Sequence, residues 1–389
     1  MMNKSVDALI VGGGAVGLAT LYYLAKAGIA AHLVDCGPIG NGTSSRCDGN
    51  VMVSDGSPGY DTQFALAGMN MFHDLADELS YDIQWEQRGS LTLFENESEM
   101  ELGKEHLTGL LSDGVKAKII DQVELRRQEP FLAQDIVGAI DTDCDGCLDP
   151  MSLVFAYSLA AQRLGAFVHQ YTRVLGIDVL SDGKYAVYTT KGEFLSPVVI
   201  NCAGAWSAQI GDMVGLRVPI KPRQGMILVA EQTFRIARRK TTEFGYLMAK
   251  SQKGKRQNIT PDMEKFGIAL VYEPTHANNF LLGSSRRFVG FDTRSDQNVM
   301  RSLAQRGIRF FPVMKDINII RSYAGVRPYC EDHIPIVSQT HLPGFYINAG
   351  HEGNGIGMAP ISGLIISKMI TGDDNYPIDP SPLDYSRFL

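Results

Sequence analysis

Cysteine is scarce in this chain of 389 residues: there are six, at positions 36, 47, 144, 147, 202 and 330. So few suggest reduced thiols in a cytoplasmic compartment rather than a disulfide framework. Basic charge is also short, with 36 lysines and arginines against 43 aspartates and glutamates. The resulting net charge of -7 argues against a nucleic-acid binder, which needs a basic surface. No uncharged apolar run reaches the roughly 18 residues of a membrane-spanning helix, so no membrane span is expected. The apolar stretch from Ala15 to Leu24 follows a glycine loop and lacks a cleavage signal, so it reads as a buried helix, not a signal peptide. Cys144 and Cys147 have redox or zinc-type spacing, but zinc needs a fuller ligand set and no second pair exists. The acidic stretch from Asp141 to Asp149 around them therefore reads as a surface loop, with no metal site expected. Internal repeats and low-complexity tracts are lacking as well.

What is present is an ordinary globular composition, 44% hydrophobic and 20% charged, in a chain long enough for two domains. Val6 to Val11 is a short apolar run rich in branched residues. A glycine turn follows, then a helix-forming stretch from Leu18 to Ala27 stopped by Gly28, then a second strand from Ala30 to Val34. This completes a βαβ unit. A helix from Ser152 to Leu164 and strands at Phe167 to Tyr171, Arg173 to Val179, Tyr185 to Thr189 and Val198 to Cys202 continue the α/β pattern. Gly344 to Ile370 returns to strand, glycine turn and helix. Between these pieces, Tyr81 to Phe94 and Arg223 to Ser285 alternate apolar and polar residues, as antiparallel strands do. The basic stretch Lys250 to Lys265, with Lys253, Lys255 and Arg256, reads as a solvated loop.

The turn Gly12-Gly13-Gly14-Ala15-Val16-Gly17 carries chemistry. Glycine at 12 permits a tight turn, glycine at 14 lets the backbone approach a pyrophosphate, and glycine at 17 allows close helix-on-strand packing. The helix N-terminus then offers unpaired N–H groups and a positive dipole end to an anion. Asp35, 23 residues beyond Gly12 at the end of the second strand, is placed to accept hydrogen bonds from ribose hydroxyls. Strand, loop, helix and acidic residue together point to a dinucleotide. The loop Gly40-Asn41-Gly42-Thr43-Ser44-Ser45-Arg46 adds hydroxyls, backbone donors and a guanidinium for a second phosphate face. Small residues from Gly353 to Gly357 let backbone donors and a following helix start approach a ligand closely.

With that loop the chain resembles the FAD-dependent D-amino-acid oxidase and glycine oxidase family. Asn201-Cys202-Ala203-Gly204-Ala205-Trp206-Ser207 resembles the family's second flavin-contacting strand end. Ala324-Gly325-Val326-Arg327-Pro328, followed by Asp332 and Pro335, resembles its substrate-arginine segment. The run from Gly350 to Pro360 resembles its C-terminal flavin turn. Ser45-Arg46-Cys47-Asp48-Gly49-Asn50 and Gly350-His351-Glu352-Gly353 are similar to the FAD-bearing subunits of heteromeric amino-acid dehydrogenases acting on opines, proline, hydroxyproline or glycine.

The resemblance implies an α/β fold in which a discontinuous Rossmann-like FAD-binding domain (1–80, 140–220, 320–389) joins a mainly antiparallel substrate-binding domain (81–139, 221–319). FAD would be held by Gly12, Gly14, Ala15, Val16, Gly17, Asp35, Cys36, Thr43, Ser44, Ser45, Arg46, Gly49, Asn50 and Val174. Ala203, Gly204, Trp206, Gly325, Gly353, Asn354, Gly355 and Ile356 would complete the cofactor site. Arg327 would hold a substrate carboxylate in a two-pronged contact, a task suited to guanidinium. His351 and Glu352 depart from glycine oxidase and would read the distal part of a larger or more cationic substrate, or form a structural pair.

The implied reaction is hydride transfer from the carbon beside a substrate nitrogen to FAD, giving an imine that hydrolyses, with no dedicated side-chain acid or base. Partner subunits would pass electrons onward, with FMN and an iron–sulfur cluster as further cofactors. The rivals are a stand-alone oxidase using oxygen, an NAD enzyme on the same fingerprint, and a flavin-bearing module inert without its partner.

Overall fold

The computed structural model describes residues 4–251 and 256–389. Its first layer is a six-stranded sheet, ordered Ile336–Gln339, Phe345–Ala349, Val199–Asn201, Ala8–Val11, Ala31–Val34 and Phe167–His169. All neighbours run parallel except the Ile336–Gln339 edge. Parallel strands are covered on both faces and so read as near-continuous apolar runs. That is why Ala8–Val11, buried at all four positions, was legible as a strand. The helix Ala15–Lys26 is likewise almost wholly buried, with Leu18, Leu21 and Leu24 at 0% exposure, each contributing roughly 1.5–3 kcal/mol. It crosses the C-terminal helix Gly355–Thr371 at Gly363, where an added Cβ would lie 2.8 Å from the backbone of Ala19 and Thr20. Ser367 Oγ donates to the Tyr23 carbonyl across the same contact at 3.0 Å. A four-stranded sheet, Lys4–Ser5, Gly192–Ser196, Tyr185–Thr189 and Val174–Val179, flanks this layer.

The second large sheet has eight strands, in the order Ile319–Cys330, Ile220–Ala230, Phe280–Gly283, Val271–Pro274, Lys240–Glu243, Ser90–Phe94, Gly138–Thr142 and Ala117–Asp121. Every pairing is antiparallel except Lys240–Glu243 with Ser90–Phe94. The fold is thus α/β with a Rossmann-like sheet and a sheet-rich second part. Ile319–Cys330 pairs along its length with Ile220–Ala230, and Gly138–Thr142 lies between two strands of the same sheet, so both strands belong to the second sheet.

The stretch Asp141 to Asp149 is not a surface loop. Asp141 is in a strand, Gly146–Cys147 pairs with Asn50–Val51, and Asp145 is 0% exposed. Its carboxylate accepts from Ser54 Oγ and Ser90 Oγ, both at 2.5 Å, and from the Val53 N–H at 2.7 Å. Acidity misled the sequence reading because buried hydroxyls and amides satisfy this carboxylate. Cys144 and Cys147 are free, and burial pushes both thiols up to about 12, far from a reactive thiolate.

Of the basic run, the side chain of Lys250 and all of Lys253 and Lys255 lie outside the described residues. Arg256 is not solvated: it bonds Glu243 at 3.1 Å with 9% of its side chain exposed, and Pro261–Lys265 is a helix. Glu243 also pairs with the buried Arg306, which reaches Glu95 as well.

Candidate functional site

Two helix N-termini, at Ala15 and at Gly355, open into one cavity of about 630 Å³. Its walls come from both large sheets. Neither N-cap residue, Gly14 or Asn354, caps its own helix with a side chain, so first-turn N–H groups face the cavity, as anion sites require. Ala15 N–H alone is occupied, donating to Ser44 Oγ at 3.1 Å.

The glycine loop is forced by its surroundings. Gly12 has φ +114°, and a Cβ there would sit 2.4 Å from the Cys202 carbonyl oxygen, where the two strand ends meet. Gly14 backs onto Ser44 Oγ, and a Cβ at Gly17 would lie 2.0 Å from the Gly12 carbonyl oxygen, so Gly17 serves packing and lies off the cavity wall. Asp35 accepts from Gly13 N–H (2.7 Å) and Gly37 N–H (2.8 Å), one on each oxygen, leaving lone pairs toward the cavity. Burial raises its pKa, and those two amide bonds oppose the rise. Cys36 and Val174 line the same end.

Thr43 Oγ1 donates to the Val326 carbonyl at 2.7 Å, tying the polar loop to the second sheet. Arg46 crosses Gly325 so closely that a Cβ there would lie 2.8 Å from it. Thr43, Ser44, Arg46, Asn50, Ala203, Gly204, Trp206, Gly325, Gly353, Asn354, Gly355 and Ile356 all line the cavity. Ser45 and Gly49 do not. Gly49 is a packing position, with a notional Cβ 1.8 Å from the Leu148 carbonyl oxygen and its N–H donated to Glu273 at 3.1 Å. Trp206 stands at the rim, stacked on Phe291 with ring centroids 5.1 Å apart.

Arg327 reaches over Gly225 and donates from Nη1 to the Ser285 carbonyl at 2.9 Å, leaving the rest of its fork free for the cavity. Burial and the neighbouring Arg286 lower its pKa.

Glu352, expected to read a cationic substrate or to form a structural pair with His351, lies on the cavity wall. It is held by Arg223 at 2.5 Å and by His333 Nδ1 at 2.9 Å, so its charge is already matched. It does not pair with His351. That ring is 4% exposed, with Nε2 2.8 Å from Ser362 Oγ. Ser362 spends its only proton on the Met358 carbonyl at 2.7 Å, so it accepts from His351 Nε2–H, which fixes the neutral tautomer.

Burial drives the His351 pKa from 6.5 to about 3. The unfolded chain therefore takes up a proton below about pH 6.5 that the folded ring refuses until about 3. The stability associated with neutral His351 is complete above 6.5 and is lost as pH falls toward 3. His351→Asn should therefore flatten the acid limb, shrinking the stability difference between about pH 7 and pH 5 by about 2 kcal/mol in urea titrations. An unchanged difference would show that the ring is not held neutral.

The sequence reading missed Lys240, Tyr246 and Ser284, which also line the cavity. A strand's first residue, one residue of a short helix and one just past a strand end carry no local signature. Several cavity-lining polar atoms are buried without partners among the described residues: both amide atoms of Asn50, Ser284 Oγ and Asn348 Oδ1. Such atoms cost free energy unless a ligand satisfies them. Close-approach glycines, two open helix starts and these orphaned groups fit a long dinucleotide cofactor.

The model of the family described as DAO, FAD dependent oxidoreductase, matches residues 7–369. The chain belongs to this family. It is 27% identical to hydrogen cyanide synthase subunit HcnC of Pseudomonas protegens, covering 100% of this chain and 97% of that protein. It is also 27% identical to glycine oxidase of Geobacillus kaustophilus (100% and 98%) and to an opine oxidase subunit of Rhizobium meliloti (94% and 93%). The crystal structure of the Geobacillus glycine oxidase superposes with a TM-score of 0.89 at 25% identity, covering 100% of both chains. This DAO-family chain is an FAD-dependent oxidoreductase, and no helix among its described residues is long and apolar enough to cross a membrane.

Proposed function

We propose that the chain oxidises the C–N bond of an amino acid or secondary-amine amino acid to an imine, with Arg327 as the carboxylate anchor. The observation that carries this is the guanidinium of Arg327, held over Gly225 and projecting free N–H groups into the cavity onto which the helix start at Gly355 opens. Asp35 and the Ala15 helix start would hold the adenosine and pyrophosphate portion of FAD. The turn from Gly353 to Ile356 would hold the ring, and bound FAD supplies a two-electron acceptor. Anchoring one carboxylate fixes the substrate's Cα–H direction, so the chain acts by orientation and by excluding water. Neutral His351 and the matched Glu352 offer no free charge, and neither is needed as a base.

Anaerobic addition of glycine, sarcosine, proline, hydroxyproline or an opine should bleach the yellow protein. If none of these bleaches it, the amino-acid reading is wrong. HcnC and the Rhizobium opine oxidase protein are both named as subunits, which supports this chain as one subunit of a heteromeric dehydrogenase. At the cavity rim, exposed Phe288, Val289 and Phe291 next to Trp206 form an apolar surface that a partner would cover. The glycine oxidase likeness supports the rival, a stand-alone oxidase. Full turnover of the isolated chain with oxygen as acceptor would decide for the rival; co-purification with a partner that restores turnover would decide against it.

A further inference from the structure

A second hollow, of about 550 Å³, is built from the second large sheet and its connections, and among the described residues it shares no lining residue with the FAD cavity. Five arginines line it, Arg88, Arg127, Arg235, Arg238 and Arg239, in a chain whose net charge is -7. The rest of its described wall is Gln128 and carboxylates, so nothing apolar faces the space. Pockets for drug-like organic ligands are mostly apolar; this one suits a ligand that is charged throughout.

The arginines come from three segments. Arg127 is on the helix Gln122–Gln128, Arg88 just precedes the strand Ser90–Phe94, and the other three fall in the connection between Ile220–Ala230 and Lys240–Glu243. That connection is held in shape by contacts of its own. Ile236 and Ala237 are buried, Ala237 N–H donates to Tyr272 Oη at 3.3 Å, and Phe234 packs on Phe131 with ring centroids 5.1 Å apart. Arg238 N–H reaches both oxygens of the buried Glu129, at 3.1 and 3.2 Å. A turn fixed in this way presents its guanidinium groups at a reduced ordering cost on binding.

Charge in the hollow is not balanced. Arg88 pairs with Glu86 at 2.6 Å, Arg127 with Glu124 at 2.8 Å and Arg239 with Asp141 at 2.7 Å. Among the described residues the guanidinium groups of Arg235 and Arg238 make no hydrogen bond or ion pair. Burial pushes Glu129, the remaining carboxylate on the wall, up to about 7, so near neutrality it carries only part of a charge. The excess is positive and carried by planar forks, which take phosphate oxygens in pairs. A carboxylate presents its oxygens in one plane, whereas linked phosphoryl groups turn oxygens toward several segments at once.

We infer that this hollow binds a polyphosphate, the di- or triphosphate group that inorganic polyphosphates and nucleotides share, with Arg235 and Arg238 as its contacts. Neither residue lines the FAD cavity, so the inference stands apart from the amino-acid reading.

The test uses the FAD-loaded protein, in which the glycine loop is already filled. Calorimetric titrations at about 0.15 M salt compare inorganic triphosphate, ATP, orthophosphate and citrate. Triphosphate should bind saturably and at least about tenfold more tightly than orthophosphate or citrate, and the double variant Arg235→Gln/Arg238→Gln should lose at least about tenfold in affinity. ATP matching triphosphate would make the phosphate chain the whole determinant; tighter ATP binding that the double variant abolishes would make the ligand a nucleotide. The two guanidinium groups hold nothing in the fold, so the double variant should keep wild-type Tm and flavin content, and Arg238→Glu serves if it does not. Lys104→Gln/Lys184→Gln removes two exposed cations elsewhere and should leave the affinity unchanged. The inference is overturned if triphosphate does not bind at that salt, if citrate binds as tightly, or if both double variants weaken binding by the same factor.

Discussion

Gly12→Ala yields a protein that purifies colourless. The residue sits at φ +114°, a conformation that costs an alanine about 1–3 kcal/mol. The larger effect is steric. A methyl group 2.4 Å from the Cys202 oxygen and 2.7 Å from its carbonyl carbon meets backbone that cannot rotate away. Cys202 N–H donates to the Val11 carbonyl at 2.9 Å, which locks the two strand ends together at this point. To accommodate the methyl, the loop must lift off the strand ends and carry the Ala15 helix start with it. The pyrophosphate then loses its donors.

Bound flavin absorbance per mole of protein should fall to about a tenth of wild type or less. Gly28→Ala is the matched control: its φ is +82°, nothing lies within 4 Å of the added methyl, and it is not part of the cavity wall. That variant meets the backbone strain without the clash and should keep its colour. A yellow Gly12→Ala protein with full flavin content would remove the glycine loop from the cofactor site.

Why was this end of the site legible from sequence and the other only in part? The glycine loop, the helix and Asp35 all lie within one βαβ unit, so the contacts that define them are local. Gly13 to Asp35 is the longest reach, and it follows from strand pairing. The substrate end is assembled from residues far apart in sequence. Arg327 was found through the motif around it. Its setting over Gly225 and against Ser285 depends on pairing between strands about a hundred residues apart, as in the Gly225 to Gly325 register.

Lys240 had no motif at all; only the strand order brings it to the cavity. Glu352 shows the same limit. Its partner Arg223 is distant in sequence, so the carboxylate looked free when it is matched. Ile319–Cys330, which carries the arginine motif, pairs into the second sheet, while the segments after it return to the first. An arginine on a strand of one sheet, pointing at a helix start from the other, is what the discontinuous chain achieves.

Arg327→Ala should lower kcat/KM for a carboxylate substrate by roughly a hundredfold, about 2–4 kcal/mol, as expected for the loss of a charge-assisted two-pronged contact. Arg327→Lys should recover little. One N–H of the guanidinium is spent on the Ser285 carbonyl, and the remaining planar fork does what a compact ammonium cannot: grip a carboxylate while staying bonded to the backbone.

A sharper version leaves every charge in place. At Gly225 a Cβ would lie 2.2 Å from Arg327 Nη1 and 2.6 Å from its Cζ, so Gly225→Ala must push the guanidinium off the strand. If carboxylate recognition depends on where the fork points, Gly225→Ala will raise the substrate Kd in anaerobic titrations by a factor approaching that of Arg327→Ala, with no charge removed. If it depends only on a positive potential in the cavity, Gly225→Ala and Arg327→Lys will both bind nearly as well as wild type. A wild-type kcat/KM in Arg327→Ala itself would mean that the substrate lies elsewhere in the cavity.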